Sequence, residues 1–166
     1  YLKRIEAGGW AEEVWNSKYE VAKAYQQLDD FDAARKFYLD AFEFRPSRAE
    51  SLYGLGKLCN EAGDFFQAYV YLNYAISIPL TDDALFVSRD VYDYQVAFEL
   101  SISAYWVGRY DQSIELCDRL LEMKTVLPDH VRQQTLINKN YSLEKMKAIK
   151  PLIEYKEDEM MSDYKE

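Results

Sequence analysis

The residues best equipped for chemistry in this chain are few and scattered. The single histidine, His130, stands beside Asp129 at a helix start, where an imidazole next to a carboxylate could serve as a general base. No third group accompanies the pair, and it reads as an ordinary first helical turn. Cys59 and Cys117 have neither zinc-site nor disulfide spacing, so they read as two reduced, buried thiols, which points to a cytoplasmic setting. Asp30-Phe31-Asp32 is formally an Asp-x-Asp, a carboxylate pair able to hold the metal of a sugar nucleotide, but it sits at a turn and its counterpart further on reads Asp64-Phe65-Phe66. Asn140-Tyr141-Ser142 fits the glycosylation triplet yet falls inside a helix, and no glycine-rich phosphate loop is present. The expectation is a segment with no catalytic, cofactor-binding or metal-ligating residues, needing no cofactor.

Charge narrows the partners. Twenty basic residues against 29 acidic ones leave a formal charge of −9, and the isoelectric point is near 4.7. Nucleic acid and anionic membrane surfaces both demand the opposite sign, so neither is expected as a partner. No apolar run reaches the roughly eighteen residues of a membrane span, so no membrane insertion is expected. No signal-peptide layout opens the chain, and with Tyr at position 1 the start of the protein is expected to lie upstream.

What the chain does carry is an echo at a distance of 34 residues. Ala22, Tyr25, Phe31, Ala34, Tyr38 and Ala41 are answered by Gly56, Cys59, Phe65, Ala68, Leu72 and Ala75. Small residues recur at small positions and large apolar ones at large positions. A period of this length marks a helical hairpin that cannot bury its apolar face alone and must stack on its neighbour. A third unit follows out of step, because Gly108-Arg109-Tyr110 matches Gly63-Asp64-Phe65 only after eleven extra residues, placed between Pro79 and Asp90. Ser113 and Leu120 there replace small alanines, which predicts looser or differently angled packing.

Punctuation predicts the helices. Tyr1 to Ala7 reads as a helix end closed by Gly8-Gly9, followed by helices over 11–28, 31–44, 48–61, 65–77, 91–106, 110–123 and 129–146. The units are about 11–46, 48–80 and 91–124, with a capping helix over 129–146 that completes a repeat domain over 1–146. Its apolar side is expected to carry Val131, Ile137 and Tyr141, with Arg132, Gln133, Asn138, Lys139 and Lys145 outside. Residues 147–166, rich in Glu and Asp, read as an acidic, flexible or partly helical tail.

The small-aromatic-small pattern of Ala22, Tyr25, Ala34, Tyr38, Ala41 and Pro46, repeated by Gly56, Ala68 and Ala75, resembles the tetratricopeptide repeat. That resemblance implies an all-α, right-handed superhelix of antiparallel helix pairs, about three repeats and a cap, serving as a non-catalytic interaction scaffold. A narrower likeness rests on Gly8-Gly9-Trp10-Ala11-Glu12-Glu13-Val14-Trp15, on Arg45-Pro46-Ser47-Arg48-Ala49-Glu50-Ser51-Leu52-Tyr53, on Phe86-Val87 before Val91-Tyr92-Asp93-Tyr94, and on Ser103-Ala104-Tyr105-Trp106-Val107-Gly108-Arg109-Tyr110. These strings resemble the helical repeat region that follows family 2 glycosyltransferase domains. The likeness implies an accessory, carboxy-terminal part of a sugar transferase, positioning an acceptor or partner. A free-standing adaptor binding an extended peptide is the alternative.

In tetratricopeptide arrays the first helix of each pair lines a concave groove. The resemblance places there Asn16, Tyr19, Lys23 and Gln26 from the first unit, and Glu50, Tyr53, Lys57 and Asn60 from the second. Gln95, Phe98, Ile102 and Tyr105 follow from the third. Tyr19 and Tyr53, like Lys23 and Lys57, stand one period apart and predict a ladder of rings and cations. Such a surface suits a protein or peptide partner, a glycan acceptor or an upstream glycosyltransferase domain.

Overall fold

The computed structural model describes residues 1–123 and 127–163, with side chains described as far as Ile149. Its helices are α1 (Leu2–Ala7), α2 (Ala11–Gln27), α3 (Phe31–Phe44), α4 (Ala49–Ala62), α5 (Phe65–Ala75), α6 (Val96–Trp106), α7 (Tyr110–Glu122) and α8 (Asp129–Asp163). A π-helical turn, Val91–Gln95, leads into α6. Among the described residues there is no strand. The pairs α2–α3, α4–α5 and α6–α7 pack in succession, and α8 covers the end of the stack. The architecture is a tetratricopeptide-like helical solenoid.

The turn inside each pair repeats in atomic detail. Asp29, Gly63 and Gly108 each take a positive φ, at 56°, 80° and 80°. The next residue then donates its N–H five residues back, Asp30 to Tyr25, Asp64 to Cys59 and Arg109 to Ala104, at 3.0, 2.8 and 2.8 Å. This closure satisfies carbonyls that the ending helix leaves unpaired. Glycine adopts the left-handed conformation without cost, and aspartate is among the few other residues that tolerate it. Asp30 also caps α3, its Oδ1 accepting from the Ala33 N–H at 3.1 Å. The Asp-x-Asp is thus a turn and a helix start.

Packing follows the small residues. Ala22, Ala34, Ala41, Ala49, Ala68 and Ala75 are all buried, and Tyr38 and Leu72 fill the space they leave. Gly54 and Gly56 are tighter still. A Cβ added at Gly54 would lie 2.7 Å from Tyr38 Cζ, and one at Gly56 would lie 2.7 Å from Leu72 Cδ2. Cys59 and Cys117 are unbridged and buried, and burial pushes both thiols up.

One element departs from the sequence reading. The capping helix, expected over 129–146, continues to Asp163, and of its expected apolar side Val131 is buried but Ile137 and Tyr141 are not. Val131, Thr135 and Ser142 face the stack, while Ile137 and Tyr141 are 46% and 55% exposed. The reason lies in the hydroxyls. Thr135 Oγ1 donates to the Val131 carbonyl at 2.7 Å and Ser142 Oγ to the Asn138 carbonyl at 3.2 Å, so both are satisfied within their own helix and bury at little cost. Ser142 Oγ also lies 2.9 Å from Ser113 Oγ, which donates to the Ser101 carbonyl at 2.8 Å. Ser113, the odd letter of the third unit, therefore bonds α7 to α6 and lets α8 approach closely at Ser142. The acidic tail expected over 147–166 lies, from Lys150 on, outside the residues whose side chains are described, and residues 164–166 are outside the described backbone.

The insertion, on whose conformation the sequence is silent, is strapped down by charge. Arg48 is 0% exposed, and all five of its N–H donors find acceptors. Nε and Nη2 reach the Glu50 carboxylate at 3.1 and 2.9 Å, Nη1 reaches Asp83 at 2.9 Å and the Leu85 carbonyl at 3.1 Å, and Nη2 also reaches the Phe86 carbonyl at 2.7 Å. The guanidinium lies 3.7 Å from the centre of the Trp15 ring, whose Nε1–H donates to Ser51 Oγ at 3.1 Å. Glu12 accepts from the Leu85 N–H at 2.7 Å, and Glu50 from the Ser88 N–H at 3.2 Å and the Tyr92 hydroxyl at 2.7 Å. One buried arginine thus joins the starts of α2, α4 and the π-helical turn to the strap.

The Arg45 guanidinium, then Arg48, hold the Asp83 carboxyl at about 2. An unfolded aspartate titrates near 3.9. A depressed native value means the folded form binds its proton less readily, so the stabilisation is complete above about pH 4 and is lost as pH falls toward 2. Urea midpoints measured from pH 5 down to pH 2 should fall more steeply for the parent than for Asp83→Asn. Parallel slopes would show that this carboxylate does not carry the acid sensitivity.

Candidate binding groove

Five of the expected groove residues surround one pocket. Tyr19, Lys23 and Gln26 from α2 meet Tyr53 and Lys57 from α4 around a concavity of about 460 Å³, with Phe31, Tyr38 and Glu61 completing the wall. The 34-residue register explains the meeting, since equivalent positions of successive first helices are brought side by side by stacking.

From the core into the pocket the aromatics form a short stair. Trp15 stacks on Tyr19 with ring centres 5.3 Å apart at 10°, and Tyr38 tilts against Tyr19 at 5.8 Å and 58°. Burial pushes the phenols of Tyr19, Tyr38 and Tyr53 well above their ordinary range, so they stay protonated. The Tyr38 hydroxyl donates to Gln26 Oε1 at 2.8 Å, and Gln26 Nε2 donates to Glu61 at 3.0 Å, tying the first unit to the second. Lys23 pairs with Glu20 at 2.8 Å and lies 5.5 Å over the Tyr19 ring. Lys57 approaches Glu61 at 3.8 Å. Both lysines are partly exposed and weakly held, so an incoming carboxylate competes with local ones for cations already in place.

The remaining positions go elsewhere. Asn16 is half-buried on α2 and outside the pocket. Asn60 spends its amide on Glu99, with Nδ2 donating to the carbonyl at 3.0 Å and to Oε2 at 2.9 Å. This locks the second unit to the third, and burial pushes the Glu99 carboxyl up. Phe98 packs against the core. Gln95 lies in the π-helical turn and is half-buried. Glu50 is fully buried in the arginine cluster; its place at the start of α4, two residues after Arg48, commits it to that ion pair. Tyr105 and Ile102 line a separate, smaller cavity with residues of α8.

Sequence reasoning missed Tyr38 and Phe31 as groove residues. The signal was present at Gly54, where the absence of a side chain lets the Tyr38 ring press against α4. Among the described residues no group of three or more His, Cys, Asp and Glu side chains is placed to hold a metal ion, and no helix is long and apolar enough to cross a membrane.

Comparison with known proteins bears on the first unit. Residues 16–48 match the tetratricopeptide repeat family model. No curated protein gives a match. The matched stretch covers most of α2 and the whole of α3, the pair whose turn geometry returns at Gly63 and at Gly108. Residues 16–48 are therefore similar to a tetratricopeptide repeat, a unit that generally binds proteins or peptides and so suggests an interaction scaffold, within a chain whose fold is a tetratricopeptide-like solenoid.

Proposed function

We propose that the chain captures an extended peptide in the groove between α2 and α4, without chemistry of its own. The observation that carries this reading is the joint pocket, where rings, phenols and two cations from successive units stand in one register. Tyrosine rings offer broad contact at low entropic cost, and a carboxylate on the peptide would exchange with Glu20 and Glu61 for the lysines. A library of unstructured peptides selected on the full chain supplies the probe. Lys23→Glu combined with Lys57→Glu should weaken the selected peptides by about 1–3 kcal/mol, roughly 5- to 150-fold in Kd by titration calorimetry. Unchanged affinity would remove the groove from the account.

A second reading, an accessory part of a family 2 glycosyltransferase that positions an acceptor, is favoured by one observation. Three of the four strings that carry that resemblance converge on the buried arginine, contributing Glu12 and Trp15, Arg45 to Ser51, and Phe86 with Tyr92. The likeness thus follows a physical unit of the solenoid. Sequencing the gene upstream of Tyr1 tests it, because alternating strands and helices with an Asp-x-Asp are required there.

A further inference from the structure

The outer face of α5 differs in kind from those of its neighbours. Phe66, Val70 and Tyr74 stand four residues apart along one side of the helix and are 71%, 50% and 56% exposed. At the equivalent positions, 34 residues earlier, α3 carries Asp32, Lys36 and Asp40; 45 residues later, α7 carries Asp111, Glu115 and Arg119. The flanking units thus follow the ordinary pattern of a surface helix, apolar inside and charged outside, while α5 is apolar on both sides. An apolar row kept in water where the repeat offers charges marks a place of contact.

The second helices of the three units are tied side by side, so the row has defined flanks. The Tyr69 hydroxyl donates to Gln112 Oε1 at 2.9 Å and Gln112 Nε2 donates to Asn73 Oδ1 at 2.9 Å, joining α5 to α7. Arg35 donates to Asp64 at 3.3 Å and to the Gln67 side chain, and Phe42 meets the Tyr74 ring edge-on at 5.9 Å, joining α3 to α5. On one flank α7 exposes Asp111, Glu115 and Glu122 against Arg119; on the other α3 exposes Asp32 and Glu43 against Lys36. Asp118 and Asp40 are already paired, with Lys139 and Lys18. Acid therefore exceeds base on both sides of the apolar row.

We propose that this face docks a basic amphipathic helix of a partner protein, with the partner's apolar stripe against Phe66, Val70 and Tyr74 and its lysines or arginines over the acids of α3 and α7. A row with four-residue spacing is the ridge that seats in the groove of another helix, and this one spans about 12 Å, a little over two turns. Sign selects the occupant. A second copy of the chain, at a formal −9, would bring acid against acid, and an anionic lipid surface would be repelled in the same way. The face shares no residue with the pocket between α2 and α4, so it stands independently of the peptide groove.

The test titrates the full chain with a synthetic helix of about eighteen residues, about 27 Å long, carrying leucines in one stripe and lysines on either side of it. A scrambled peptide of the same composition and a version with glutamate for lysine are the controls. Titration calorimetry should show saturable binding of the leucine–lysine helix, with both controls weaker by about tenfold or more. Phe66→Ser with Val70→Ser, at exposed positions, should weaken the helix by about tenfold or more without lowering the melting temperature. Glu115→Lys with Glu122→Lys should weaken it and flatten its salt dependence. Lys23→Glu with Lys57→Glu should leave it unchanged, whatever the two reversals do to peptides in the groove. Equal binding of the scrambled peptide, or an unaltered Kd in the folded Phe66→Ser, Val70→Ser variant, would overturn the proposal. So would a parent chain that sediments as a dimer and turns monomeric in that variant, since the face would then belong to a second copy.

Discussion

Replacing Arg48 with alanine is expected to destabilise the fold by about 3–5 kcal/mol, the largest effect of any single substitution here. The magnitude comes from what remains behind. Glu50 would be left as a buried carboxylate without its cation, Asp83 would keep only Arg45, and the Leu85 and Phe86 carbonyls would lose their donor. A buried ion pair gains little over an apolar replacement of the same shape, but removing one partner alone strands the other charge. Arg48→Lys should recover only part of the loss, because an ammonium offers three donors where the guanidinium serves five contacts, and it cannot lie flat on the Trp15 ring. Urea denaturation measures the stability. Trypsin cleavage after Arg89, on the strap, measures its release. An alanine variant with the parent midpoint and the parent cleavage rate would show that the cluster is decorative.

The second large effect is expected at Gly56. Alanine is favoured over glycine inside a helix by about 1 kcal/mol, so propensity alone predicts that Gly56→Ala stabilises. Packing opposes it. The new methyl would fall within contact distance of Leu72 at its branch point, and Leu72 is fully buried with nowhere to swing. Overpacking costs on the order of 1–3 kcal/mol, so a net loss is expected. Ala68→Leu and Ala34→Leu, at crossings equally closed to solvent, should lose a similar 1–3 kcal/mol with no propensity gain to offset it. A melting temperature that rises for Gly56→Ala would mean that α4 and α5 are less closely nested than described.

Most of the solenoid was legible because its determinants are local. The turns at Gly63 and Gly108 announce themselves by residue type, and helix limits at Phe31, Phe65 and Tyr110 follow one residue after Asp30, Asp64 and Arg109. That Tyr19 and Lys23 would share a pocket with Tyr53 and Lys57 was readable from the period. The face of the capping helix was not. Ile137 and Tyr141 look like core by their letters, and Thr135 and Ser142 look like surface, because a sequence does not show that a hydroxyl is satisfied by its own helix and can then approach another closely.

Glu50 illustrates the same limit for the groove. Its position in the repeat matched those of groove residues, yet its partners Arg48, Ser88 and Tyr92 come from segments that only folding brings together. Asn138 and Tyr141 were likewise invisible as lining residues, since their cavity exists only once α8 lies against α6.

By itself the amino-acid order determined a period, a helical pairing and the positions where methyl-sized side chains let helices nest, because sterics and backbone preference act within a few residues. The tertiary structure alone decided which charges are buried, how the insertion is tied down and which apolar side chains stay in water. Those outcomes depend on desolvation and on partners tens of residues away, and neither is written in local spacing.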